Sequence, residues 1–226
     1  MDNRVLPIFP LSLVQFPNAI TPLHIFEARY RKMLKDVMET DKTFGIIFQN
    51  DEVMPESELL PLGSVGCSVE VAVMQELEDG RSNILCVGIS RFRLLRYVEG
   101  EEYSQAEVEF FEDEPTFDDL SEESDRSKRL FARLFRISRR LKGEQESDIE
   151  NSPDLPDDPQ AVSYIVSAYL DIENSKKQDL LELTDTAERL TEVNGIIERL
   201  ADETEKQAIM HQISKKNGHA KLPKFD

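Results

Sequence analysis

Residues able to carry out chemistry are scattered along this 226-residue chain and form no pattern that would assemble an active site. The histidines are His24, His211 and His219, and the cysteines, Cys67 and Cys86, are not spaced as a C-x-x-C pair. A metal site needs such groups clustered at ligand spacing. The sequence also has no glycine-bracketed Lys-Ser or Lys-Thr pair for a phosphate and no G-x-S-x-G turn for a serine nucleophile. We therefore expect no catalytic residue, no metal site and no cofactor.

Carboxylates are abundant, but their surroundings favour solvation over acid–base catalysis. Residues 99–125 contain thirteen acidic residues and no basic one. Pairs such as Glu101–Glu102 and Asp118–Asp119 have no apolar segment beside them that would shift a pKa. We therefore interpret residues 113–125, DEPTFDDLSEESD, as a solvated linker or loop.

Charge and hydropathy exclude several classes of partner. The formal net charge is −18, whereas a nucleic-acid-binding protein needs a basic surface to displace counterions. No apolar run approaches the roughly 20 residues that span a bilayer, and the N-terminus lacks the apolar stretch of a signal peptide. We expect a cytoplasmic protein that binds neither nucleic acid nor membrane, with both cysteines serving as small apolar residues in a sheet.

The elements that would position a site divide the chain into two halves. In the first half, residues 4–23 are predicted to form short extended pieces, because apolar residues recur at every second position from Val5 to Leu13, with the prolines at an edge or a turn between pairings. Helical spacing predicts a helix over about 26–39, with Pro22 just before it. Residues 44–49 read as a strand. Two longer strands flank an Asp-Gly turn and predict a hairpin in which Val73 lies opposite Val87.

The second half is helical. After a strand near residues 103–112, a helix is predicted over about 125–142. Another begins at Pro159 with Asp158 as its cap, a short one is capped by Ser175, and the last starts near Asp185. The predicted domains are a β-rich subdomain at 1–118, a helical bundle at 119–210 and a disordered basic tail at 211–226.

The opening segment has an unusual pattern of prolines and aromatic residues. LPIFPL at residues 6–11 is followed by FP at 16–17 and by PLHIFEARYR at 22–31. This pattern resembles the N-terminal substrate-binding domain of Lon-type ATP-dependent proteases, where L-P-hydrophobic-F-P-L precedes a turn with F-P and a helix opened by P-L-x-I-F-E-x-R-Y-R. ILCVGISRFRLL at 84–95 is similar to that family's V-x-G-x-x-R-F strand.

The resemblance covers about residues 4–205, since KQDLLEL and DTAERL near 177–190 are similar to elements of the family's helical part. It implies an α+β fold: a PUA-like pseudo-barrel with one inserted helix, followed by an α-helical bundle. It also implies a stand-alone substrate-binding domain without the ATPase and Ser-Lys protease modules of full Lon proteases, and so a protein that is not an enzyme. The N-terminal part of cereblon, a substrate adaptor, is similar.

The resemblance implies that polypeptides are the partners, either unfolded segments or a dedicated protein. We predict a groove at the junction of the pseudo-barrel and the bundle, lined by six residues: Phe16, Pro22, Phe26, Tyr30, Arg91 and Phe92. Three alternatives stay open. The six residues could serve only to hold the fold, the mouth of the pseudo-barrel could be an enzyme site or bind a small molecule, or the chain could be a regulatory subunit that docks on an ATP-dependent protease or chaperone.

Overall fold

The computed structural model of the protein describes residues 3–50, 59–141 and 154–217. Within these residues the chain forms six strands and five helices. The strands are β1 (Asn3–Leu11), β2 (Ile20–Ile25), β3 (Thr43–Phe48), β4 (Val65–Glu76), β5 (Ser82–Val98) and β6 (Gln105–Phe110). The helices are α1 (Ala28–Met38), α2 (Ser121–Leu141), α3 (Pro159–Tyr169), α4 (Asn174–Glu182) and α5 (Thr186–Asn217).

The six strands form one sheet that closes on itself. Their order is β2-β5-β4-β3-β1-β6, and an additional pairing of β5 with β6 joins five of them into a ring. The 17-residue β5 makes this closure possible because its first half pairs with β2 and its second half with β6. Strand β2 lies outside the ring and pairs only with β5 among the described residues. The predicted α+β architecture is confirmed.

Strand β1 changes partner along its length. Asn3 to Pro7 pairs antiparallel with β6, and Ile8 to Leu11 pairs parallel with β3. The predicted strand is confirmed. Its two prolines lie in an interior strand of the sheet: Pro7 is the last residue paired with β6, and Pro10 lies in the part paired with β3. Because each part of β1 is paired on one side only in these registers, a proline without an N–H group is tolerated there.

The β4–β5 hairpin is confirmed, but its predicted register is wrong. Val73 lies opposite Leu85 rather than Val87, and Val71 lies opposite Cys86. The turn centres one residue earlier than predicted, and an irregularity between Val71 and Val73 shifts the pairing again. Since side chains alternate between faces, this register decides which residues are exposed on the outer side.

Helix α1 is confirmed, with two corrections at its start. Tyr30 and Leu34 are buried as predicted, but Phe26 precedes the helix and is 61% exposed. Pro22 is not a helix-entry residue, because it lies within β2. The helix begins only at Ala28, since residues 20–25 are held extended by their pairing with β5.

The helical half confirms two predicted caps and corrects a third. The Asp158 carboxylate accepts a hydrogen bond from the Ala161 N–H at 2.8 Å, with Pro159 at the first helical position. The Asp185 carboxylate accepts from the Ala187 N–H at 2.7 Å. Ser175 is not a cap, because it lies inside α4, which begins at Asn174.

Two boundaries differ from the prediction. Helix α2 begins at Ser121, so the final part of the predicted acidic linker is helical. Helix α5 continues to Asn217, seven residues into the predicted disordered tail. The remainder of that tail, residues 218–226, lies outside the described residues.

The apolar core consists of three clusters. One packs α1 against β3, β4 and β5, and a second lies among β1, β3, β5 and β6. The third joins α2, α3, α4 and α5 to the segment between β1 and β2, where Val14 and Phe16 are buried. No helix in the described parts of the chain is long and apolar enough to cross a membrane.

Candidate functional site

The six residues predicted to line a groove are not brought together. Phe16, Tyr30 and Phe92 are buried in the three different core clusters, and Arg91 is buried as well. Phe16 packs near Tyr164 of α3, with ring centroids 6.4 Å apart. We therefore propose that these four residues hold the fold.

Pro22 and Phe26 are the exposed members of the predicted set. Pro22 lies on the solvent side of β2, and Phe26 follows that strand. The Phe26 ring stacks beside His24, with the ring centroids 6.0 Å apart. These two residues belong to a surface of β2, whereas the other four belong to the interior.

Arg91 takes part in a buried charge cluster at the junction of the sheet and the helices. Its guanidinium forms an ion pair with Asp113, which also pairs with Arg189 of α5. The Tyr164 hydroxyl donates to Asp113 Oδ1 at 3.0 Å, and the Thr186 hydroxyl donates to Oδ2 at 2.5 Å. We call these five residues the Asp113 cluster.

Asp113 corrects the interpretation of residues 113–125 as a solvated segment, because its side chain is 4% exposed. Burial alone would raise its pKa, but hydrogen bonds from Arg189 and the attraction of that charge outweigh burial and lower the pKa to about 2. The carboxylate is therefore ionised at neutral pH and surrounded by donors.

The arginines of the cluster also bind backbone carbonyls. Arg91 Nη1 donates to the Leu181 carbonyl at 2.9 Å, and Arg189 Nη1 donates to the Leu183 carbonyl at 2.7 Å. The cluster thus fixes β5 to the α4–α5 connection. With its acceptors occupied, Asp113 is suited to positioning the two halves of the chain and not to proton transfer.

The thiols are equally unsuited to chemistry. Cys67 and Cys86 are both free and buried. Burial raises the pKa of Cys86 to about 12 and also raises that of Cys67, whereas a reactive cysteine has a lowered pKa. Among the described residues, no group of three or more His, Cys, Asp or Glu side chains is placed to hold a metal ion.

An exposed apolar surface lies on β2, β5 and β4, on the side away from the core. We call it the outer face and define it by five residues: Ile20, Pro22, Val73, Leu85 and Val87. Ile20 is 57% exposed, Val73 54% and Leu85 39%. An apolar surface of this kind on a highly charged protein is typical of a binding site.

The register of the three strands aligns this surface. Pro22 of β2 lies opposite Leu85 of β5, which lies opposite Val73 of β4. The three side chains form one row across the strands. The next row contains Ile20 of β2 opposite Val87 of β5, which lies opposite the exposed Glu70 of β4. Cross-strand neighbours at this spacing are in contact range.

The segment before β2 holds the outer face in place. Asn18 adopts φ 62°, and its N–H donates to the Gly88 carbonyl at 2.8 Å. The Gly88 N–H donates back to the Ala19 carbonyl at 2.9 Å. A Cβ at position 88 would lie 2.0 Å from the Phe16 carbonyl oxygen, so a glycine is required for this close approach.

The outer face includes a groove of about 410 Å³ without a charged residue in its lining. Its lining contains no Asp, Glu, Lys or Arg, and its polar residues are His24, Gln75 and Asn83. His24 Nδ1 and Asn83 Oδ1 are 2.8 Å apart. In a chain of net charge −18, an uncharged groove beside exposed aliphatic side chains favours an apolar ligand.

Sequence reasoning missed most of this surface. It identified Pro22, but it did not identify Val73, Leu85 or Ile20. The period-two alternation within VEVAV and within ILCVG is visible in the sequence. Only the correct register of the two strands shows that Val73 and Leu85 lie on the same exposed face.

Comparison with known proteins identifies the family. The family model described as "ATP-dependent protease La (LON) substrate-binding domain" matches residues 5–199. The chain therefore belongs to the Lon substrate-binding domain family.

The curated relatives are Lon proteases. That of Escherichia coli (strain K12) is 25% identical over 198 residues, which cover 87% of this chain and 25% of the relative. That of Cytophaga hutchinsonii is 26% identical, covering 83% of this chain and 23% of the relative. The chain thus spans about a quarter of the length of these relatives.

Two solved structures have the same fold. One is a Lon N-terminal domain protein from Xanthomonas campestris, with a TM-score of 0.59 and 22% identity over 84% of this chain and 96% of that one. The other is the N-terminal domain of a Mycobacterium avium complex Lon protease, with a TM-score of 0.61 and 17% identity over 88% of this chain and 98% of that one.

Proposed function

We propose that the protein is a binding module for polypeptides, without catalysis of its own, and that apolar segments of unfolded chains bind to the outer face. The uncharged, exposed row of Pro22, Leu85 and Val73 is the observation that carries this proposal. Membership of a family named for substrate binding supports it. The described chemistry also supports it, since the thiols are inert and the buried carboxylate is fully hydrogen-bonded.

Burial of the row would drive binding. Aliphatic side chains that are half exposed in the free protein lose water on contact with an apolar segment, at about 25 cal/mol per Å². The groove residues His24, Gln75 and Asn83 can form hydrogen bonds with the backbone of a bound segment. Such contacts favour any exposed apolar segment and do not require a particular amino-acid sequence.

Fluorescence anisotropy with labelled, unfolded casein tests the proposal. The double variant Val73→Thr/Leu85→Thr keeps β-forming side chains and removes apolar contact area, so we expect casein binding to weaken about tenfold. The matched control is Phe117→Ser, which removes an apolar side chain that is 101% exposed and lies outside the outer face. Equal affinity of the double variant and the wild type would refute the assignment.

A second measurement separates general client binding from a dedicated partner. The purified protein is used as bait in native lysate, and the bound proteins are identified by mass spectrometry. Capture of many unrelated chains, lost in Val73→Thr/Leu85→Thr, agrees with a client-binding module. Capture of one stoichiometric ATPase by wild type and variant alike would instead identify a regulatory subunit.

A further inference from the structure

Helix α2 carries a cluster of positively charged residues, although the net charge of the chain is negative. Residues 126–141 contain seven basic residues and no acidic one, while the whole chain has a net charge of −18. Six of the seven are arginines, whose planar guanidinium groups bind carboxylates with two parallel hydrogen bonds. The outward side of α2 therefore differs in sign from most of the molecule.

Part of this charge is used within the fold. Arg126 pairs with Glu198 of α5 at 2.7 Å, and Arg133 pairs with Glu205 at 2.8 Å. These pairs fix α2 alongside α5, with both helices running in the same direction. Lys128 approaches Asp157 at 3.4 Å.

Two arginines on α2 are left without a carboxylate partner in the described part of the chain. Arg129 and Arg136 are both exposed, and no ion pair joins either to another described residue. Arg136 Nε only donates to the Ala132 carbonyl of its own helix at 3.3 Å. Seven residues apart, the two arginines lie on one side of the helix, and Arg133 lies between them on the same side. We call these three residues the arginine stripe.

The stripe is short and bounded. Glu122, Glu123 and Asp125 precede it on the first turns of α2, so the positive surface begins only after them. From Arg129 to Arg136 the stripe extends about 10 Å along the helix at 1.5 Å per residue. An extended segment of about three residues spans that distance. A long polyanion would instead reach the acidic remainder of the surface and be repelled.

We infer that the arginine stripe of α2 is a docking surface for a short acidic segment of a partner polypeptide. Carboxylates of the segment pair with Arg129 and Arg136, whose charges are unneutralised by the described fold. The surface is distinct from the outer face in position and in chemistry, because the outer face lies on the sheet and the lining of its groove contains no Asp, Glu, Lys or Arg. The inference is thus independent of the proposed binding of apolar clients.

Anisotropy with two labelled peptides tests the inference on the full chain. One peptide alternates glutamate with alanine, and the other replaces every glutamate with glutamine. We expect the wild type to bind the glutamate peptide and not the glutamine peptide, with affinity falling as salt is raised. The variant Arg129→Gln/Arg136→Gln should weaken binding at least about tenfold.

The matched control is Arg31→Gln/Lys35→Gln on α1. Those residues are also exposed, and no ion pair within 4 Å joins either to another described residue. Because both double variants remove two positive charges, the net charge changes equally. Retained binding in the control would support a site on α2. Equal weakening in both variants would reduce the effect to overall charge and overturn the inference, as would equal binding of the two peptides.

Two further arms identify the class of partner and the surface. Tighter binding of a single-stranded oligonucleotide than of the glutamate peptide, lost in Arg129→Gln/Arg136→Gln, would overturn the assignment to a polypeptide. The outer-face variant Val73→Thr/Leu85→Thr should bind the glutamate peptide like the wild type. Loss in that variant would place the peptide on the outer face and refute the α2 site.

Discussion

The Asp113 cluster and the outer face treat polarity in opposite ways. The cluster buries two arginines and a carboxylate, each with hydrogen-bond partners, between β5 and the helices. The outer face exposes aliphatic side chains around a groove without charge. A buried charge whose partners are all internal stabilises the fold. An exposed apolar row is available to contact a binding partner. From the sequence we expected the opposite, with residues 113–125 in solvent and Arg91 in a binding groove.

The largest expected effect breaks the buried region. Asp113→Asn removes the charge that Arg91 and Arg189 share and leaves two buried guanidinium groups without it. We expect the free energy of unfolding to fall by about 3–5 kcal/mol, measured as a lower midpoint in urea. The control Asp202→Asn removes a carboxylate that is 63% exposed and pairs with Arg133. Similar losses in the two variants would contradict the role given to the cluster.

Neighbouring residues of β5 sharpen the comparison at the outer face. Ile84 is 2% exposed and belongs to the core beneath the sheet, whereas Leu85 is 39% exposed on the outer face. Ile84→Ala should therefore cost about 2–5 kcal/mol of stability, and Leu85→Ala about 0.5 kcal/mol or less. Chemical denaturation of both variants measures the difference. A larger loss for Leu85→Ala would mean that the register assigned to this strand is wrong.

Acid titration tests Asp113 without a change of composition. Its pKa is lowered from 3.8 to about 2 in the folded protein, so ionised Asp113 stabilises the fold above its unfolded pKa. That contribution, about 2 kcal/mol, is lost as the pH falls from about 4 through about 2. The stability difference between the wild type and Asp113→Asn should narrow over this interval, as measured by urea unfolding at each pH. A constant difference would show that the carboxylate is not the titrating group.

The fold was largely predictable from local sequence. Period-two and helical apolar spacing identified the strands and helices, and Asp158 and Asp185 identified two helix starts, because caps and periodicity depend on neighbouring residues. Lon-like motifs supplied the family and the closed arrangement of strands.

The candidate site was predictable only in part, because its residues are distant in sequence. Asp113 reads like any other member of its acidic run, and its partners Arg91 and Arg189 lie 22 and 76 positions away. The outer face depends on a register that an irregularity in the hairpin shifts. Phe16, Tyr30 and Phe92 were predicted to line a groove, but they are buried, and the sequence alone did not distinguish burial from exposure.

The smallest expected effect concerns an ion pair with the same chemistry as the Asp113 cluster but without its burial. Arg126 and Glu198 are 2.7 Å apart, yet their side chains are 53% and 45% exposed. Water screens this pair, and ordering two long side chains costs entropy, so a double-mutant cycle with alanine should give a coupling energy below about 1 kcal/mol. Urea unfolding at low and high salt provides the measurement, and the coupling should shrink as salt rises. A coupling energy as large as the loss of unfolding free energy in Asp113→Asn would mean that burial does not explain the difference between this ion pair and the Asp113 cluster. It would also contradict the distinction between a structural interior and a surface available for binding.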